Sequence, residues 1–96
     1  MPNQDKIRSV HVRITGRVQG VGYRAWTVDE ARRRGLSGWV RNRADGDVEA
    51  VFSGPAATVD DMLAACRRGP FSARVDDVMI DAAEPVSGPF TVLYER

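Results

Sequence analysis

The sequence predicts an α+β domain in which one antiparallel sheet carries two helices on one face. Three observations point there. Apolar residues alternate with polar ones in five short stretches, two other stretches repeat at helical spacing, and glycine or proline punctuates most junctions. The 96 residues read as one domain, 1–96, with the polar segment 1–6 expected to be flexible.

Val10, Val12 and Ile14 alternate with His11 and Arg13, the pattern of a strand with one buried face. A glycine-rich stretch follows. Tyr23 to Arg34 then reads as a helix, with Val21, Ala25, Val28 and Ala31 on its inner side and Asp29, Arg32 and Arg33 turned away. Arginines in its last turn suit the negative end of the helix dipole, and Gly35 suits a C-cap. Gly38–Arg43 and Asp47–Ser53 read as two strands joined at the Asp45-Gly46 turn, with Val48, Ala50 and Phe52 on one face.

After Gly54-Pro55, Thr58 and Asp61 resemble a capping box, and Asp60 and Asp61 are expected to start a second helix. Its apolar stripe is Val59, Met62, Leu63 and Cys66; Arg67 and Arg68 finish it, and Gly69-Pro70 stops it. Asp77–Ala82 supplies a fourth strand through Val78, Ile80 and Ala82. Phe90, Val92 and Tyr94 alternate in a short closing strand. The order βαββαβ plus a short β is the ferredoxin-like, split βαβ arrangement. One sheet face is expected to pack on the helices and the other to face solvent.

Composition narrows the function. Hydrophobic residues at 43% and charged residues at 28% describe an ordinary globular chain, so disorder is excluded. A net charge of +1 argues against a nucleic-acid partner held by bulk charge. The one cysteine, Cys66, cannot form an intrachain disulfide, which fits a reducing compartment. No signal peptide or membrane-length apolar run is readable, so a cytoplasmic, monomeric protein without a membrane partner is expected. One histidine and one cysteine on different elements give no zinc spacing, and no metal or cofactor is expected.

The informative segment is Gly16-Arg17-Val18-Gln19-Gly20-Val21-Gly22-Tyr23-Arg24. Three glycines in seven residues let the backbone curl, and a curled loop feeding a helix aims several N–H groups at one point. Arg24 then falls in the first helical turn, where a cation opposes the dipole. A bound anion, such as phosphate, resolves that conflict. A plain strand-to-helix turn is the bland alternative. Gly20-Val21-Gly22-Tyr23-Arg24-Ala25 also fits the loose dinucleotide pattern, but the hairpin that follows the second strand leaves no parallel βαβ unit. A Walker A loop lacks its Gly-Lys-Ser/Thr here.

A second cluster, Gly38-Trp39-Val40-Arg41-Asn42-Arg43-Ala44-Asp45-Gly46-Asp47-Val48, is followed by Gly54. The two clusters together resemble the signatures of the acylphosphatase family, and the resemblance continues through Gly69-Pro70 and Ala73-Arg74-Val75 to Phe90. It fades over Thr91–Arg96, where no role is expected. The resemblance implies hydrolysis of acyl phosphates to a carboxylate and inorganic phosphate, without metal. It implies a phosphate cradle formed by Arg17, Val18, Gln19, Gly20, Val21 and Gly22, with Arg24 as the catalytic arginine and Asn42 orienting the attacking water. Inorganic phosphate is then product and expected inhibitor. Tyr23 stands where the family often has phenylalanine, a change expected to leave the chemistry alone.

That chemistry suits these residues. The leaving carboxylate has an acid pKa of about 4, so it departs unprotonated and needs no strong general acid. What remains is to hold the phosphoryl group, neutralise its oxygens and place water in line. A guanidinium offers two parallel hydrogen bonds and a permanent charge. A carboxamide is a poor base but both donates and accepts, which suits positioning.

Other residues take ordinary roles. Gln19 is expected to brace the loop through its side chain, and Arg17 to point its side chain to solvent. His11, on the exposed face of its strand, lacks a nucleophile and an orienter around it. Cys66, Trp26 and Trp39 read as packing, and Asp45 and Asp47 as turn residues. A non-catalytic phosphate-binding module on the same fold is the alternative function. An RNA-recognition sheet needs outward aromatics on its central strands, where this chain has His11, Arg13, Glu49, Val51 and Ser53.

Overall fold

The structure is a computed structural model and describes residues 6–94. Residues 1–5 of the segment expected to be flexible, and residues 95 and 96 of the closing segment, lie outside the described residues. The elements are β1 (Ile7–Arg17), α1 (Tyr23–Arg33), β2 (Ser37–Asn42), β3 (Val48–Pro55), α2 (Ala56–Arg68), β4 (Arg74–Ala82) and β5 (Thr91–Val92). The sheet order is β4-β1-β3-β2-β5. α1 lies mainly over β2, and α2 over β1, β3 and β4. The ferredoxin-like order read from the sequence is therefore the observed one.

The core follows from strand parity. Val10, Val12 and Ile14 of β1 stand opposite Phe52, Ala50 and Val48 of β3, and all six are buried. Val59, Met62, Leu63 and Cys66 of α2 close over them. Such a stripe is what fixes a short amphipathic helix to a sheet, since isolated helices of this length are marginal in water.

Several expectations change. The buried side of α1 is Tyr23, Thr27, Val28 and Ala31, with Ala25 exposed. Tyr23, the largest fully buried side chain of the helix, takes the inward position, and the Thr27 hydroxyl donates back to the Tyr23 carbonyl at 2.8 Å. The C-terminus behaves as expected: the Gly35 and Leu36 amides return to the Arg32 and Ala31 carbonyls at 3.0 Å each, a Schellman closure.

The N-cap of α2 is Pro55, three residues before the expected Thr58, and it makes no side-chain cap. The Ala56 amide already donates to the Lys6 carbonyl at 2.9 Å, so the incoming N-terminal strand satisfies a donor that a capping hydroxyl would otherwise take. Asp60 and Asp61 sit past the first turn and pair with Arg8 and Arg34 instead.

β4 is longer than the alternation suggested. A bulge between Thr15 and Gly16 lets its pairing with β1 continue back to Arg74. β5 runs parallel to β2, which makes the sheet mixed, not purely antiparallel. The chain leaves β4 at one edge and joins the opposite edge beside β2. Phe90 anchors that crossing: its ring is buried and stacks on Phe52 at 5.5 Å, and the Arg32 Nε donates to its carbonyl at 3.0 Å. Gly38 of β2 serves both neighbours, because a Cβ there would lie 1.8 Å from the Val51 carbonyl oxygen of β3 and 3.2 Å from the Phe90 ring.

The second sheet face is less open than expected, since β3 is buried on both sides from Val48 to Ser53. Glu49 sits centrally there. It accepts from Arg41 Nε at 2.8 Å and lies 2.5 Å from His11 Nε2, which must carry the proton because a carboxylate only accepts. Trp39 packs against His11 and under the Arg41 guanidinium. Farther along, Ser53 meets Ser9 at 2.6 Å and receives the Val86 amide of the crossing segment at 3.4 Å.

Two outcomes follow. Phe90→Ala leaves a cavity beside Phe52 and is expected to cost about 3–5 kcal/mol, read as a lowered urea midpoint. Burial alone would raise the Glu49 carboxyl, but the His11 and Arg41 hydrogen bonds outweigh it and hold it below the usual range. Its contribution is thus complete above the unfolded value of about 4.3 and is lost as pH falls through the lower folded value. The stability difference between wild type and Glu49→Gln should be large at pH 7 and shrink below about pH 4.3.

Candidate active site

β1 delivers the chain into the glycine loop, and the loop turns directly into α1. Gly20 (φ 75°) and Gly22 (φ 83°) both adopt the left-handed conformation, with Gly22 as the helix N-cap. Space is not the constraint, since nothing lies within 4 Å of a Cβ added at either. The backbone sign is the constraint, because glycine adopts it without the strain a Cβ brings. No side chain caps α1 and no acidic residue stands in its first turn. Among the described residues, no hydrogen bond takes up an N–H of residues 18–22; the nearest such bond is the first helical one, Trp26 to the Gly22 carbonyl at 3.0 Å.

Those amides border a pocket of about 250 Å³. Val18, Gln19, Gly20 and Gly22 line it from the loop, Tyr23, Arg24 and Ala25 from the start of α1, and Asn42 from the end of β2. Val92 and Tyr94 complete the wall. Arg24 and Asn42, eighteen residues apart in order, thus share one cavity. Arg17 and Val21, expected in the cradle, do not line it. Arg17 ends β1 opposite Arg74, and Val21 packs against the core.

Of the arginines, Arg24 alone lines the pocket, and it does so without a carboxylate partner among the described residues. Arg13 pairs with Asp45 and Asp47, Arg41 with Glu49, Arg43 with Asp45 and Glu49, and Arg34 with Glu30 and Asp61. Arg24 makes no ion pair among the described residues. Its guanidinium lies 5.5 Å from the centre of the Tyr94 ring. A ring face attracts the cation without using its N–H edge, so the donors stay available to an anion. The Asn42 carboxamide likewise makes no hydrogen bond among the described residues.

Tyr94 and Val92 were not expected here, because Thr91–Arg96 carries no motif. The alternation of Phe90, Val92 and Tyr94 was the available signal. It places Val92 and Tyr94 on the same side of β5 as the buried Phe90, the side on which α1 begins.

Gln19 braces the loop, as its chemistry suggested. Its Nε2 donates to the Arg43 and Asp47 carbonyls at 2.8 Å each. Tyr23 is held from below: its hydroxyl donates to the Cys66 carbonyl at 2.7 Å. That carbonyl has no helical partner, because the residue four positions on is Pro70. Burial pushes the Tyr23 phenol up, and pushes the Cys66 thiol up to about 12, so both stay neutral and structural. His11 contacts Glu49 on the other face of the sheet, away from the pocket. Among the described residues no three His, Cys, Asp or Glu side chains group as metal ligands, and no helix is long and apolar enough to cross a membrane.

A split βαβ sandwich with a glycine loop and a pocket-lining arginine at a helix start is the frame for comparison with known proteins. The family described as Acylphosphatase matches residues 10–91. An acylphosphatase from Rhodospirillum rubrum is 59% identical over 83 residues, covering 86% of this chain and 88% of its own. The solved structure of an acylphosphatase from Coxiella burnetii superposes with a TM-score of 0.86 at 31% identity, covering 91% of this chain and 93% of its own. That of an acylphosphatase from Bacillus subtilis gives 0.85 at 33%, covering 93% and 100%. The chain belongs to the acylphosphatase family.

Tyr23→Phe removes the phenol and orphans the Cys66 carbonyl. It is expected to lower stability by about 1–2 kcal/mol in urea unfolding, while catalytic rates stay within about twofold because the hydroxyl points away from the pocket toward α2.

Proposed function

We propose that this protein hydrolyses acyl phosphates to a carboxylate and inorganic phosphate. The observation that carries the reading is the convergence of Arg24, which has no carboxylate partner, with unpaired loop amides and the Asn42 carboxamide on one pocket. The family membership agrees with it.

In this reading the loop amides and the Arg24 guanidinium grip the phosphoryl oxygens. Charge spreads over those oxygens in the transition state, so donors already fixed in place stabilise it without reorganising. Val18, Gln19, Gly20 and Gly22 supply the cradle, and Arg17 and Val21 flank it. Asn42 accepts a hydrogen bond from water and holds it in line with the departing acyl oxygen. The water oxygen bonds to phosphorus, the bond between phosphorus and the acyl oxygen breaks, and the electron pair leaves on the carboxylate. The water proton passes to a phosphoryl oxygen, since a carboxamide is too weak a base to take it.

No step calls for a metal, so turnover should persist in excess chelator. The product keeps the group that the cradle grips, so inorganic phosphate should compete with substrate. A lone buried Cys66 thiol fits a reducing, cytoplasmic setting.

Loss of benzoyl phosphate absorbance in chelator tests the reading. Arg24→Ala is expected to lower kcat/KM by at least a hundredfold to a thousandfold, the usual effect of deleting a preorganised donor. Asn42→Ala should lower kcat by roughly a hundredfold with a smaller change in KM. Full activity in Arg24→Ala would refute the mechanism, and phosphate binding without turnover in wild type would select a binding module.

A further inference from the structure

The two halves of the site belong to different parts of the chain. The amides and Arg24 sit on the loop and α1, whereas Asn42 ends β2 at the mouth of a hairpin. In-line attack needs water and phosphorus aligned, so the distance between these halves must be set by something. Next to the pocket, one side chain joins them directly.

We infer that Gln19 is a positioning residue whose side chain sets the register between the phosphoryl cradle and Asn42; the inference rests on the hydrolytic reading above. Both Nε2 hydrogens are committed, one to the Arg43 carbonyl and one to the Asp47 carbonyl, each at 2.8 Å. Two carbonyl acceptors fix the amide orientation, because the Gln19 oxygen cannot replace its nitrogen against either. The same two residues close the hairpin: the Arg43 amide donates to the Asp47 carbonyl at 2.8 Å. Gln19 therefore grips the hairpin at its neck, and Arg43 is the residue that follows Asn42 in the chain.

The other face of the hairpin is held separately. Glu49 accepts from Arg41 and Arg43, the neighbours on either side of Asn42. These contacts stiffen the hairpin without touching the loop. The hairpin can stay folded without Gln19, but its placement against the cradle then loses its direct tie. The expected signature is a loss in kcat with the phosphate grip preserved, since the amides and Arg24 remain on one continuous segment.

The experiment is a double-mutant cycle on the purified protein with benzoyl phosphate, using Gln19→Met, which keeps the side-chain length but removes the donors. In wild type, Gln19→Met is expected to lower kcat roughly ten- to a hundredfold. KM and the inhibition constant for inorganic phosphate should change less than about threefold. In the Asn42→Ala background the same substitution should cost less than about twofold, because there is no longer a carboxamide to misplace. Gln19→Glu, which sets a carboxylate against two carbonyls, should be at least as impaired in kcat as Gln19→Met. Urea unfolding of each variant confirms a folded protein. Equal losses in both backgrounds would overturn the inference, as would an unchanged kcat or a loss confined to phosphate affinity. If wild type failed to turn over, or Asn42→Ala were fully active, the hydrolytic reading would fall and this inference with it.

Discussion

The structure turns on an unbalanced positive charge at the positive end of a helix. Arg24 stands in the first turn of α1, where the dipole disfavours a cation, with no acid in that turn and no ion-pair partner among the described residues. Every other arginine near the hairpin is matched to a carboxylate. The charge left at the pocket is thus localised, and together with the free loop amides it defines what can bind there. A net charge of +1 gives the domain little overall pull on anions, so any such pull must come from local charge.

Such a point must be held rigidly to be useful. The loop is short and glycine-rich, so its shape comes from its surroundings. Gln19 ties it to the hairpin on one side. Tyr23 ties the first residue of α1 to the last turn of α2, filling the gap left where Pro70 cannot donate to the Cys66 carbonyl. A phenylalanine would fill the same space and leave that carbonyl without a partner. Conformational freedom in the glycines and rigidity in their neighbours are complementary requirements of one site.

The C-terminal segment belongs to the same design. Phe90 is part of the core, and its burial on Phe52 brings β5 to the outer edge of β2. The Leu93 amide continues the pairing to the Val40 carbonyl at 2.9 Å. Tyr94 then reaches the Arg24 guanidinium from the solvent side. A distant packing contact therefore decides what faces the Arg24 end of the pocket, although nothing in that segment carries a motif.

The sequence by itself determined the order of elements, the buried parity of β1 and β3, the stripe on α2, and the segments that bear Arg24 and Asn42. Those are local properties: alternation, helical spacing and glycine content act over a few residues and survive in one dimension. The tertiary structure decided the rotation of α1 onto Tyr23 and Thr27, the start of α2 at Ala56, the parallel pairing of β5, and the second buried face of β3. It also decided that Arg24 lacks a partner while Arg13, Arg41 and Arg43 have theirs. The common reason is that each depends on groups far apart in the chain: the Lys6 carbonyl that receives the Ala56 amide, the Cys66 carbonyl under Tyr23, Glu49 between His11 and Arg41. Local pattern shows which residues can point inward or outward, but only packing settles which partner each of them meets.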